Sequence, residues 1–219
     1  MGCKGERPEK YGMNVNLRCL NTGNDSVVFH DEREGLVYKV ILSVGMEQAA
    51  RYRDFTNRAA ELAQHLPPGI LTTPYGVCRC LLRVEPILEL TETKASRLYR
   101  NDGPLLPVTV SRFVAGPNAS HILFSQSDAT RRKACAGMGQ DETTRLIDLA
   151  STIDESAPAY DEFLSWMMGN YFSLVNRLGF EGAQTSEINI KVRSPQPGVF
   201  ECTVTDLCDS IDKLRPIAV

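Results

Sequence analysis

Strand-like apolar runs bounded by turn-forming residues occur in residues 16–42 and predict two or three antiparallel strands. Turn-forming residues interrupt this segment at 24–26 and again at 31–35. Over residues 44–66 the hydrophobic period changes to that of a helix, and a Pro-Pro-Gly sequence then predicts its end. The first part of the chain is therefore predicted to be a small sheet followed by one long helix.

The later pattern is less regular but still predicts an alternation of sheet and helix. The predicted elements are strands at 75–90 and 107–114, helices at 141–153 and 160–178, and a hairpin at 188–192 and 200–205. Residues 119–140 favour neither structure. We predict an α+β fold with two lobes: a flexible N-terminus (1–15), a sheet-rich N-lobe with one long helix (16–116), and a helical C-lobe that contains the hairpin (117–219).

Composition excludes several classes of protein. The net charge is −3 and the pI is about 5.7, so no basic excess supports nucleic-acid binding. The seven cysteines are scattered, odd in number and without a CxxC pair, which argues against a disulfide framework or a zinc site. No stretch approaches 18 apolar residues, and the start lacks the apolar core of a signal peptide. We therefore predict a cytoplasmic protein.

The first residues, Met-Gly-Cys, match the start of an acylation signal, although Glu6 stands where Ser or Thr is preferred. Acylation of Gly2 and Cys3 would anchor the chain to a membrane. The alternative is an unstructured start without a lipid, and the sequence leaves both interpretations open.

Lys39 is the first candidate functional residue. It ends an apolar strand, VYKV, and an ammonium group among apolar residues requires a partner. Upstream, GNDSVVF begins with a turn in which Gly23, Asn24 and Ser26 could offer amides to a phosphate group. Together these strings resemble the nucleotide-binding lobe of the protein-kinase-like superfamily. The turn is similar to the looser version found in aminoglycoside phosphotransferases.

Two further strings extend the resemblance. VTVSRFVAG resembles the strand and hinge that hold adenine in kinases, which implies backbone contacts from Arg112 and Val114 and a position near the ribose for Asn118. EINIKV, followed by VTDLCDS, resembles the metal-binding hairpin of the superfamily. The resemblance implies that Asn189 and Asp206 bind Mg²⁺, which prefers oxygen ligands.

In the superfamily an acid from the long helix pairs with the phosphate-binding lysine. Glu47, Asp54 and Glu61 are the candidates in residues 44–66, and spacing does not decide among them; we favour Glu61. The catalytic loop departs from the pattern, because Gln184 stands where the base aspartate is expected and an amide is no useful base. Glu187 or Glu181 could substitute.

The resemblance implies a kinase-like fold with a reduced C-terminal lobe, because little chain follows Asp206. The first functional hypothesis is an ATP- and Mg-dependent phosphotransferase that acts on a protein hydroxyl. Its size and acylation-like start also resemble host-directed bacterial effector kinases, which would place it inside a host cell. The alternatives are a pseudokinase that binds a partner protein, and a small-molecule kinase.

Overall fold

The structure, a computed structural model, describes most of the 219 residues in two compact units. The described residues are 17–23, 25–73, 76–94, 104–123, 127–155, 157–181, 185, 189–208 and 210–216. The first unit comprises the described residues up to Asn57 together with Pro86–Phe113 and Ser210–Leu214. The second comprises Arg58–Glu85, Val114–Asp209 and the segment from Arg215 onwards.

Strands and helices alternate along the described chain. The strands are β1 (Leu17–Thr22), β2 (Ser26–Asp31), β3 (Leu36–Ile41), β4 (Gly69–Thr73), β5 (Gly76–Val84), β6 (Ile87–Lys94), β7 (Leu105–Arg112), β8 (Phe180–Glu181), β9 (Ile190–Gln196), β10 (Val199–Val204) and β11 (Arg215–Pro216). The helices are α1 (Met46–Ala63), α2 (Ala119–Leu123), α3 (Asp128–Ala134), α4 (Gln140–Glu155) and α5 (Ala157–Leu178), with a 3₁₀ turn at Ile211–Lys213.

The first unit is built on an antiparallel sheet with the strand order β1-β2-β3-β7-β6. Its apolar side chains form one buried cluster: Leu17, Val27, Phe29, Val40, Leu106 and Val108. The β2–β3 turn is closed by Asp31, whose Oδ1 accepts hydrogen bonds from the amides of Arg33 and Glu34. Gly35 completes this turn at φ +65°, a conformation that favours glycine. The hydrogen bonds of this β2–β3 turn therefore help to set the register of β2 and β3.

The second unit contains a four-stranded sheet with the order β4-β5-β10-β9, in which β5 and β10 are parallel and the other pairs antiparallel. The helix α5 packs on β4, where Gly69 lies so close to the Trp166 indole that a Cβ would overlap the ring. The helix α4 packs on β9, and Arg145 donates to the Ser194 hydroxyl at 2.9 Å and to its carbonyl. A two-stranded pair of β8 and β11 completes the unit.

The structure confirms a mixed α+β fold with two sheets and five helices among the described residues. The three N-terminal strands, the long helix, the two later helices and the closing hairpin all form close to their predicted bounds. One prediction was wrong in detail. The segment 75–90, expected to be one strand, contains β5 and the start of β6, which lie in different sheets, and β4 was not expected. The segment 119–140, for which no structure was predicted, contains α2 and α3.

No helix in the described ranges is long and apolar enough to span a membrane. Residues 1–15, predicted to be a flexible N-terminus, and the predicted acylation signal at Gly2 and Cys3 lie outside the described residues.

Candidate functional site

Lys39 lies in the middle of the first sheet, opposite Val28 of β2 and Thr109 of β7. Its side chain is half-buried, and Nζ lies 5.3 Å from the centre of the Tyr52 ring, which α1 presents from a buried position. A cation over an aromatic face gains about 0.5–2 kcal/mol, depending on how far it is desolvated. The sheet thus tolerates this lysine at least partly because α1 supplies an aromatic ring beside the ammonium.

Two of the three candidate acids on α1 have arginine neighbours. Glu47 pairs with Arg51 one turn later, and Asp54 accepts from Arg53 at 2.7 Å. Both pairs are largely exposed, and such pairs contribute about 0–1 kcal/mol. Glu61 is also exposed on the helix surface. Its pairing with Lys39 stays a prediction.

The turn before β2 is held by its own backbone. The Gly23 amide donates to the Ser26 carbonyl at 2.9 Å, and the Leu42 amide donates to the Asp25 carbonyl at 2.8 Å. A Cβ on Gly23 would meet only an ordinary contact of 3.6 Å, so packing does not require glycine there. Asn24, the remaining member of the expected phosphate cradle, lies outside the described residues. A phosphate that took the Gly23 amide would therefore have to replace an internal hydrogen bond.

The end of β7 is fixed by contacts within the first unit. Arg112, an expected adenine contact, is exposed and lies opposite Leu36 in the sheet. The next residue, Phe113, donates its amide to the Gly35 carbonyl at 2.8 Å and stacks on His30 with 3.9 Å between ring centres. These contacts fix the position of the chain at the end of β7.

The segment that follows, Gly116 to Asn118, is fixed on β9 of the second unit. Gly116 has φ +126°, and a Cβ on it would lie 2.7 Å from the Val192 carbonyl oxygen. The Val192 amide donates to the Pro117 carbonyl at 2.9 Å, and Asn118 forms a bridge with Lys191. Only glycine permits this close approach. Val114, the other expected adenine contact, is half-buried.

Asn118 was expected near a ribose, and its side-chain oxygen has a partner within the protein. The Lys191 ammonium donates to Asn118 Oδ1 at 2.5 Å. Burial lowers the pKa of Lys191 because the surroundings disfavour its charged form. The sequence analysis did not single out Lys191, although the same signal was present: it lies between Ile190 and Val192 in an apolar strand, as Lys39 does in β3.

The hairpin of β9 and β10 brings together the two residues expected to bind metal. The Asn189 carbonyl accepts from both the amide and the hydroxyl of Thr205, at 2.8 and 2.9 Å, so Asn189 lies opposite the residue before Asp206. The antiparallel register continues this pairing from Ile190 and Val204. Both candidate ligands therefore lie at the same end of the hairpin, and they supply the oxygen atoms that Mg²⁺ prefers.

Asp206 is half-buried in an ordered loop. Its Oδ1 accepts from the Cys208 amide at 3.3 Å, and its carbonyl accepts from the Thr185 hydroxyl at 2.6 Å. The Leu207 carbonyl accepts from the hydroxyl of Tyr171, a fully buried residue of α5, at 2.9 Å. The chain after β10 is thus anchored to the helical part of its own unit.

Within the described ranges, no three His, Cys, Asp or Glu side chains lie together as a metal cluster. A metal ion would therefore depend on Asp206, on amide or carbonyl oxygens, and on the ligand. Gln184 and Glu187 lie outside the described residues, as does the side chain of Glu181, so the assignment of a catalytic base stays a prediction. Comparisons with models of protein families and with curated proteins find no match to this chain.

Proposed function

We propose that this protein is a minimal kinase-like, ATP- and Mg-dependent phosphotransferase, with a protein hydroxyl as the acceptor. The observation that carries the proposal is the β9–β10 hairpin, whose one end holds Asn189 and Asp206. Their order along the chain and their oxygen chemistry are those implied by the kinase resemblance. A half-buried lysine in an antiparallel sheet, Lys39 with Tyr52 beside its ammonium, supports the same proposal.

Each residue has a separate role in the proposal. Lys39 supplies a positive charge for nucleotide phosphate, and the Tyr52 ring lies beside its ammonium. Asn189 and Asp206 would hold the metal ion, which when bound neutralises phosphate charge during transfer. The anchoring of Leu207 by Tyr171 keeps the Asp206 loop in place. Phosphoryl transfer relies mainly on positioning and charge, so weak base assistance lowers the rate without abolishing the reaction.

A pseudokinase that binds a partner protein is the second candidate. The observation that favours it is Gln184 at the position of the base, because an amide cannot accept the proton. General-base assistance contributes roughly 10²- to 10⁴-fold to rate, so an active protein with this residue should be slow. A small-molecule kinase has no comparable support.

The test is a titration of the purified chain with a fluorescent ATP analogue, in Mg²⁺ and in chelator, followed by mass analysis for transferred phosphate. Asp206→Ala should remove any enhancement of binding by Mg²⁺, whereas Asp212→Ala, an exposed control in the 3₁₀ turn, should leave it intact. Lys39→Ala should weaken binding in both conditions, by about 10-fold or more if one charge-assisted contact is lost. Unchanged binding in Lys39→Ala contradicts the proposal.

The second candidate is separated from the first by the acceptor chemistry. Gln184→Asp should raise the rate of phosphate transfer if this position serves the acceptor hydroxyl. Nucleotide binding without any transfer, in the wild type and in Gln184→Asp, would favour the pseudokinase.

A further inference from the structure

The second unit contains a cavity that the proposed nucleotide chemistry does not require. It has a volume of about 330 Å³, and we call it the Lys191 cavity. Its walls come from the segment before α2, from α2 and α3, and from β9. Its polar lining residues are Asn118, His121, Thr130, Lys133 and Lys191. Ligand pockets in proteins typically measure about 300–1,000 Å³, so this cavity suits a small molecule.

The chemistry of the lining favours an anion. Two lysines and a histidine face the cavity, together with a threonine hydroxyl and an asparagine amide, and none of the described lining residues is an aspartate or glutamate. A third positive group, the buried Arg131, is bonded to a lining residue: its Nε donates to the His121 carbonyl at 3.2 Å. Asp128, which pairs with Arg131 at 3.9 Å, is largely exposed to solvent. The cavity thus concentrates positive charge in partly desolvated surroundings.

Two polar groups in this cavity are incompletely satisfied. In the part of the chain that the structure describes, the Lys191 ammonium donates to a neutral amide oxygen, Asn118 Oδ1, and an ammonium has three donors. His121 Nδ1 is buried and has no hydrogen-bond partner among the described residues. Leaving such groups without partners is unfavourable, and more so for a charge. A bound anion would supply acceptors to the remaining donors of Lys191, whereas His121 Nδ1 is itself closed to the cavity.

We propose that the Lys191 cavity binds the phosphate group of a small phosphorylated molecule. Donors that come from three separate elements suit a tetrahedral anion with oxygens in several directions, and hydrogen bonds between charged groups are the strong ones. Lys191, Lys133 and His121 supply these donors, and Thr130 adds a hydroxyl. The inference does not rest on the proposed function, because Lys39, Asn189 and Asp206 are not among the described residues that line the cavity.

The test uses inorganic phosphate as the probe and the full chain. Calorimetry should show saturable binding in the millimolar range or tighter, with acetate at equal ionic strength binding more weakly. Lys191→Met and Lys133→Met remove charge with little change in side-chain length. Loss of a charged hydrogen bond should weaken binding by about 10- to 100-fold for the half-buried Lys191. The matched control is Arg132→Met, which removes an exposed charge next to Lys133 on α3 and should change binding less than twofold.

A second measurement keeps the proposal testable if Lys191→Met does not fold. The imidazole signals of His121 in the wild-type protein should shift on titration with phosphate, in proportion to the calorimetric saturation. Lys191→Arg should retain binding.

Three results would overturn the proposal. The first is the absence of saturable phosphate binding. The second is an equal loss of phosphate affinity in Arg132→Met and Lys133→Met. The third is a loss of phosphate binding in Lys39→Met, which would place the ion in the first unit. Equal affinity for acetate would overturn the assignment to phosphate.

Discussion

The close approach of Gly116 to β9 makes a strong prediction for Gly116→Ala. The residue has φ +126°, where an L-amino acid is strained by about 1–3 kcal/mol. The new Cβ would also lie 2.7 Å from the Val192 carbonyl oxygen, which is backbone and cannot rotate away. Separating the two segments would weaken the hydrogen bond from the Val192 amide to Pro117, about 1 kcal/mol. We expect a total loss of about 2–4 kcal/mol in the free energy of unfolding.

Urea denaturation measures this loss of stability, and the fluorescence of the single tryptophan follows the unfolding of one unit. Trp166 lies in the same unit as Gly116, so its fluorescence reports the unfolding of that unit. With a denaturant slope of about 2 kcal/mol per molar, the midpoint should fall by roughly 1–2 M. The matched control is Gly137→Ala: Gly137 also has positive φ, +88°, but its Cβ would meet nothing within 4 Å. It should lose only about 1–2 kcal/mol.

The comparison of the two variants separates strain from the steric contact. If Gly116→Ala and Gly137→Ala lose the same stability, the approach to Val192 does not limit the structure, and the reasoning about this segment is refuted. If Gly116→Ala leaves the free energy of unfolding unchanged, the positive φ of Gly116 is refuted.

Two further predictions concern titration and reactivity. Burial alone would raise the pKa of Glu142, but hydrogen bonds from its arginine partner and from a backbone amide outweigh burial and lower it. A lowered pKa in the folded state stabilises the protein above pH 4.5. Glu142→Gln should therefore lower the free energy of unfolding by about 2 kcal/mol at pH 7, as measured by urea denaturation. This difference should shrink as the pH falls below 4.5. A constant difference across this range would contradict the assignment. Burial raises the pKa of the Cys80 thiol to about 12. Iodoacetamide at neutral pH should therefore alkylate the half-exposed Cys19 well before Cys80, as measured by peptide mass mapping. Equal alkylation rates would contradict the burial of Cys80.

Local patterns in the sequence were sufficient for much of the fold. In residues 16–42, apolar runs bounded by turn-forming residues predicted two or three strands, and three form there, β1 to β3, because turn residues interrupt a sheet at defined points. Helical spacing predicted α1, α4 and α5. The short hairpin near the end also allowed Asn189 and Asp206 to be placed near each other, because antiparallel strands joined by a tight turn must bring their outer ends together.

Tertiary structure decided what depends on pairing between distant segments. Nothing local distinguishes β5 from β6, yet β5 pairs in parallel with β10 more than 100 residues later, while β6 joins the first sheet. The aromatic neighbour of Lys39 comes from a helix, and the spacing of α1 could not select Tyr52 over the acids. The Lys191 cavity depends on α2, α3 and β9 meeting. Contacts of this kind are decided by which buried surfaces fit together, and a pattern confined to one segment carries no information about the surface it will meet.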